Sequence, residues 1–60
     1  MHGPVAGIHV WDENDNWWDV AHRYTGHGAN WIHLMHANPQ ITNPNVMVAG
    51  TRVMIHKDIL

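Results

Sequence analysis

The chain must fold on a hydrophobic core alone, because none of its 60 residues is a cysteine. Without thiols it has no disulfide crosslink, no thiolate metal site and no cysteine nucleophile. Sixty residues lie close to the lower limit at which one core supports an independent domain. Four tryptophans and one tyrosine supply much of the apolar area, since each can bury about 150–250 Å². We therefore expect a single small domain packed around aromatic side chains.

Charge and hydropathy exclude two classes of partner. Only 13% of the residues are charged and the formal net charge is −2, unlike the basic footprint of a nucleic-acid-binding domain. No apolar run approaches the length of about 18 residues that a membrane span needs. The first seven residues lack the basic and apolar regions of a signal peptide. We expect neither a nucleic-acid nor a membrane partner, and a protein that is cytoplasmic, exported by another route, or already processed.

The apolar pattern predicts a strand, two helices and a second strand. Residues 8–11 and 51–56 are β-prone, and the second stretch alternates between apolar and other side chains. A helix is predicted over residues 16–24, with Asp15 as its N-cap and apolar residues at i, i+3, i+4 and i+7. A second helix is predicted over residues 30–37, before an Asn-Pro stop. The order predicts an α+β fold of βααβ type, in which a two-stranded antiparallel sheet carries both helices on one face.

The same pattern predicts the core. For the first strand two registers stay open: either His9 and Trp11 or Ile8 and Val10 face the helices, since a one-residue shift moves every side chain to the other face. The side chains expected to be buried together are Trp17, Val20, Ala21, Trp31, Leu34, Val53 and Ile55.

Two stretches resemble the LysM domain, a small βααβ module. Residues 9–21 align without a gap to the family pattern Y-x-V-x-x-G-D-T-L-W-x-I-A, and residues 43–55 to its ending N-P-N-x-I-x-P-G-x-x-L-x-I. The resemblance covers residues 8–56, which we take as the domain. Residues 1–7 contain two glycines and a proline and are predicted to form an irregular arm, and residues 57–60 a short tail.

Several positions depart from the family pattern, among them Asn14, Asn16, Trp17 and Ala49. Asn14 stands in place of glycine, and asparagine tolerates the left-handed conformation that such a turn can require. Asn16 and Trp17 replace threonine and leucine, and Ala49 replaces proline.

The resemblance implies a glycan groove. LysM domains bind N-acetylglucosamine-containing glycans, in peptidoglycan or chitin, between the loop after the first strand and the loop after the second helix. Asparagine and main-chain groups would bond the acetamido substituents, and apolar side chains would support the sugar rings. Asp15 and Trp17 have structural alternatives, as a helix cap and a core residue. The groove residues implied by the resemblance are Asn14, Asp15, Asn16, Trp17, Ile41, Pro44, Asn45, Val46 and Met47.

The resemblance also implies a structural role, which we take as the first hypothesis. Small LysM-bearing proteins occur in phage tails and baseplates, so the chain is interpreted as a virion or cytoplasmic subunit that contacts other protein subunits. Glycan binding is the alternative. The arm and the tail would then be docking segments, and an apolar residue at an exposed end is best explained by a covering neighbour. The side chains proposed for such an interface are Trp18, Met47, Met54, Ile59 and Leu60.

Catalysis, cofactors and metals have little support in the sequence. The chain has no serine, and four of its five carboxylates lie within residues 12–19, whereas paired catalytic carboxylates must flank the scissile bond. His33 and His36 stand at i and i+3, a spacing that can share a metal, but no carboxylate lies at a matching helical position. We expect no enzymatic activity, no cofactor and no metal site.

Overall fold

The computed structural model describes residues 3–60 and confirms the βααβ order. Its two strands pair antiparallel, and a single 3₁₀ turn leads into the second helix. The elements are β1 (Val5–Val10), α1 (Trp17–Thr25), the 3₁₀ turn (Gly28–Asn30), α2 (Trp31–His36) and β2 (Arg52–His56).

Helix α1 is closed at both ends by local hydrogen bonds. At its start the side chain of Asn16 accepts from the amide of Asp19 at 2.8 Å, so the prediction of Asp15 as the N-cap is wrong. At its end Gly26 adopts a φ of 81° and donates its amide to the carbonyl of His22, a left-handed cap that glycine makes without steric cost. The carboxylate of Asp15 is engaged elsewhere, as described below.

The sheet begins earlier than the sequence predicts. Strand β1 starts at Val5 rather than Ile8, so the irregular arm predicted over residues 1–7 is wrong from Val5 onward. A register shift at Ala6 absorbs one extra residue, and bulges of this kind let a strand continue through small residues that would otherwise signal a break. Met1 and His2 lie outside the described residues.

The ends of the described chain are bonded to each other. The amide of Lys57 donates to the carbonyl of Pro4 at 2.9 Å, and the amide of Gly3 donates to the carboxylate of Asp58 at 3.1 Å. The first described residues and the tail therefore form one unit beside the sheet.

The core lies between the inner face of the sheet and the two helices. Of the residues expected there, Trp17 and Trp31 are only half-buried and pack against the edge of the core. His9 and Trp11 are also buried, at 7% and 5% exposure. The expected residues that are buried are Val20, Ala21, Leu34, Val53 and Ile55.

This packing selects one of the two registers left open for β1. His9 and Trp11 face the helices, whereas Ile8 and Val10 are 53% and 58% exposed on the other side of the sheet. Both helices therefore cover one face, and the opposite face is open to solvent.

Asn38 ties the end of α2 to β2. Its side chain is fully buried, donates to the carbonyls of Leu34 and Met54, and accepts from the amide of Met54 at 2.7 Å. These bonds cover the edge of β2 that faces away from β1. In the loop between α2 and β2, Gly50 turns the chain with a φ of 94°. Its amide donates to the carbonyl of Trp11.

No helix within residues 3–60 is long and apolar enough to cross a bilayer.

Candidate functional site

A cleft of about 340 Å³ opens between the turn that precedes α1 and the loop that precedes β2. Two indoles, Trp11 and Trp17, form part of its wall, with ring centroids 4.9 Å apart. It is the groove position implied by the sequence. The predicted groove residues that line it are Asp15, Asn16, Trp17, Pro44, Asn45 and Met47.

The other predicted groove residues lie elsewhere. Ile41 and Val46 line a neighbouring hollow of about 620 Å³, and Met47 borders both depressions. Asn14 lines neither, and its amide donates to the carboxylate of Asp12 in a tight turn. Asn14 keeps a negative φ, so the left-handed conformation suggested by the resemblance is not used.

Trp17 belongs both to the edge of the core and to the wall of the cleft. Its indole packs against the core and lines the cleft. The ring N–H donates to the carbonyl of Pro44 at 2.9 Å, which fastens the start of α1 to the opposite wall. The indole is therefore held in place, but its only polar hydrogen is already used.

Most polar side chains of the cleft are engaged within the protein. Asn16 accepts from the amide of Asp19 and donates to its carboxylate. Asp15 accepts from the amide of Asp12 and from His9. Among the described residues, the side chains of Glu13 and Asn45 are the cleft groups left to meet a ligand.

A buried polar network adjoins the cleft, and the sequence did not predict it. The imidazole of His9 lies between the Tyr24 hydroxyl, 2.6 Å from Nδ1, and the carboxylate of Asp15, 2.8 Å from Nε2. Because the Asp15 carboxylate accepts from the Nε2–H group, the neutral imidazole accepts a hydrogen bond at Nδ1 from the Tyr24 hydroxyl. The network therefore links β1, the turn and α1.

The environment of Asp15 favours its charged form. The amide of Asp12 donates to the same carboxylate oxygen as His9, Oδ2. The main-chain bond from Asp12, followed by the bond from His9, holds the pKa of the Asp15 carboxyl below its ordinary value of 3.8. Through these two bonds the Asp15 carboxylate ties β1 to the turn that precedes α1.

The predicted interface residues differ in exposure. Trp18 and Leu60 are 55% and 58% exposed, whereas Met47, Met54 and Ile59 are half-buried. Trp18 still contacts the protein with one face, since its indole lies directly over Gly28. Further exposed apolar side chains, which were not predicted for an interface, are Val5, Ile8, Val10, Ile32, Val46 and Val48.

Within residues 3–60, no three histidine or acidic side chains are placed so that they could hold a metal ion. His33 instead lines a small hollow with Asn30, Asp58 and Ile59.

Comparison of the chain with family models, curated proteins and solved structures finds no match.

Proposed function

We propose that this protein is a non-catalytic LysM-like module that serves as a structural subunit through protein–protein contacts, in an assembly of the phage-tail or baseplate type. The assembly type comes from the resemblance of residues 9–21 and 43–55 to the family. The observation that carries the proposal is the apolar surface on the side of the sheet away from the helices.

This outer surface, as we call it, consists of Ile8, Val10 and Met54 on the sheet, together with the loop residues Val46 and Val48, which line the same hollow as Met54. Ile8 pairs with Met54 across the strands, and Met54 lines the 620 Å³ hollow together with Val46 and Val48. Val46 and Val48 are each 68% exposed. Several exposed apolar side chains close together on a small domain are typical of an interaction site, and the exposed Arg52, opposite Val10, lies at their border.

The oligomeric state of the protein in solution tests this proposal. We expect sedimentation velocity to detect oligomers as the concentration rises from micromolar to millimolar. Replacing both Ile8 and Val10 by serine should shift the distribution to smaller species, because it removes exposed apolar area from the outer surface without touching the core. The matched control is Ile32→Ser, which removes an exposed apolar side chain from α2. A wild-type monomer at millimolar concentration, or equal effects of both changes, contradicts the proposal.

Glycan binding is the second candidate, and the cleft favours it. The cleft combines two indoles with the free Asn45 side chain, which is the combination of ring platform and amide that an N-acetylated sugar needs. It ranks second because Asp15, Asn16 and the Trp17 N–H are already bonded within the protein.

A chitooligosaccharide titration followed by amide chemical shifts tests the second candidate. Shifts should cluster at Asn16, Asn45 and Met47 and at the indole N–H of Trp17. Amides at Asn30 and His33, which line a different hollow, are the internal control. Uniformly unchanged spectra at millimolar ligand contradict glycan binding, and retention on peptidoglycan by a monomer would place it first.

A further inference from the structure

We propose that the free edge of β1 pairs antiparallel with β1 of a second copy of this chain, about a twofold axis at His9. The inference rests on the proposed function, because it names one partner and one contact surface for the assembly. The product is a four-stranded sheet shared by two copies.

The direction of the main chain in β1 follows from the bonds at Trp11. Its amide donates to the carbonyl of Thr51 and its carbonyl accepts from the amide of Gly50, both at 2.8 Å, so the main chain of Trp11 points toward β2. Bonding direction alternates along an antiparallel strand. The amides and carbonyls of Ile8 and Val10 therefore point away from β2.

Met54 supports this assignment independently. It stands opposite Ile8, and its amide and carbonyl point away from β1 to bond with Asn38. In a non-hydrogen-bonded antiparallel pair, the amide and carbonyl of both residues point away from the partner strand. None of the turn, cap or side-chain hydrogen bonds among residues 3–60 uses the main chain of Ile8 or Val10.

The two edges of the sheet thus differ. Asn38 covers the middle of the β2 edge with its buried amide, whereas the β1 edge at Ile8 and Val10 is open. A second copy can therefore pair with this sheet at the β1 edge. Within residues 3–60, the strand of the second copy that also has an open edge is again β1. This reasoning selects a symmetric contact between two copies, which closes on itself.

The side chains of β1 permit close approach of two copies. The segment Val5–Val10 contains no Asp, Glu, Lys or Arg, so no formal charges repel across the contact. Natural edges are commonly protected by lysine, proline or a bulge. Here the bulge lies at Ala6, beyond the open stretch, and leaves Ile8 and Val10 unprotected.

A twofold axis at His9 satisfies the open groups in pairs. The axis places Ile8 of each copy opposite Val10 of the other copy. Each of these two hydrogen-bonded pairs exchanges two main-chain hydrogen bonds. The His9 side chain points inward to Asp15 and Tyr24 and does not obstruct the axis. On the outer surface, Ile8 and Val10 then form apolar cross-strand pairs, which stabilise a sheet by about 0.2–1 kcal/mol each.

Disulfide trapping tests the register directly, because the native chain has no cysteine. Ile8→Cys and Val10→Cys proteins are mixed in equal amounts and oxidised. Directly opposed residues have Cα atoms about 5.5 Å apart, within reach of a disulfide. Residues 8 and 8, or 10 and 10, are diagonal neighbours about 7–8 Å apart. We expect the mixed 8–10 disulfide to form well above its statistical share. Statistical products, equal to those of a Val48→Cys control mixture, overturn the inference.

A second variant tests the main-chain contact without relying on the crosslink. Val10→Pro removes the outward N–H but keeps an apolar side chain, and proline is tolerated on an open strand edge. Val10→Thr keeps the N–H and is the matched control. We expect at least a tenfold weaker dimer for Val10→Pro than for Val10→Thr by sedimentation, with circular dichroism confirming that both fold. Equal dimer affinities overturn the inference.

The two proposals fail in different ways. If the wild type assembles but the mixed disulfide stays at its statistical share, the copies meet at another surface and the structural role stands. If the wild type remains monomeric at millimolar concentration, both proposals are wrong.

Discussion

The Nε2 atom of His9 lies 2.8 Å from the carboxylate of Asp15, and both side chains are about nine-tenths buried, with exposures of 8% and 11%. The contact joins the inner face of β1 to the turn that starts α1. It also explains the capping of α1, because Asp15 is held by His9 and by the Asp12 amide, and Asn16 is left to bond the first turn of the helix.

This arrangement predicts a loss of stability in acid. The folded-state pKa of Asp15 is lowered below its ordinary value of 3.8, so its contribution to stability is present above that value and is lost as the pH falls through the folded pKa. The melting temperature should therefore fall as the pH drops below about 4, and Asp15→Asn should flatten that part of the curve. Thermal unfolding from pH 6 to pH 2 measures both.

Tyr24→Phe is the control for this experiment. It removes the hydroxyl that bonds His9 Nδ1 but leaves the carboxylate of Asp15 and its partners. We expect a loss of about 1 kcal/mol at neutral pH, with the acid-dependent part of the curve retained. If Asp15→Asn unfolds with the same pH profile as the wild type, the carboxylate does not carry the acid sensitivity.

Asn38 is predicted to be the most sensitive polar residue. Asn38→Ala leaves the amide and carbonyl of Met54 without their partners and removes a fully buried side chain. The expected cost is more than about 2 kcal/mol in the free energy of unfolding. Gln40→Ala is the control, since Gln40 is exposed and only donates to Asn38, and should cost less than about 0.5 kcal/mol. Urea unfolding compares them, and similar midpoints contradict the prediction.

Gly28 is predicted to be required by Trp18. A Cβ atom at Gly28 would overlap the indole of Trp18, whereas a Cβ atom at Gly7 meets nothing within 4 Å. Gly28→Ala should destabilise by about 1–3 kcal/mol, and Gly7→Ala should not. Adding Trp18→Ala to Gly28→Ala should recover part of the loss, because the overlapping ring is gone. A double-mutant cycle by thermal unfolding would falsify the contact if the two effects were additive.

The sequence predicted the elements that depend on local pattern. The apolar spacing around Val20 and Leu34 fixes which helix faces are buried, and the alternation at Val53 and Ile55 fixes the face of β2. Pattern did not reveal the strand at Val5, because glycine and proline nearby signal irregular structure and the bulge that accommodates them is a property of strand pairing.

The candidate site was predicted in part for a related reason. Asp15, Trp17 and Asn45 line one cleft because the turn before α1 and the loop before β2 face each other across it. The network of His9, Asp15 and Tyr24 escaped prediction, since its members come from three elements and meet only after packing. The one local signal was the spacing of His9 and Trp11 on the same strand face, which left the choice of inner face open.

The final prediction concerns the hydrogen bond that closes the cleft. Trp17→Phe keeps an aromatic ring against Trp11 but removes the N–H that donates to the Pro44 carbonyl. A single hydrogen bond of this kind contributes about 1 kcal/mol, so global stability should fall only slightly. The loop that carries Pro44 then loses its hydrogen bond to α1. In the same loop the Val46 amide donates to the Asn43 carbonyl. This amide should exchange with solvent about fivefold faster, the factor that corresponds to about 1 kcal/mol.

Trp18→Phe is the control, because that indole is 55% exposed and lies over Gly28 rather than the cleft. Amide exchange followed by NMR separates the two: faster exchange at Val46 in Trp17→Phe alone supports the tie, and equal exchange in both variants shows that the loop is held by other contacts.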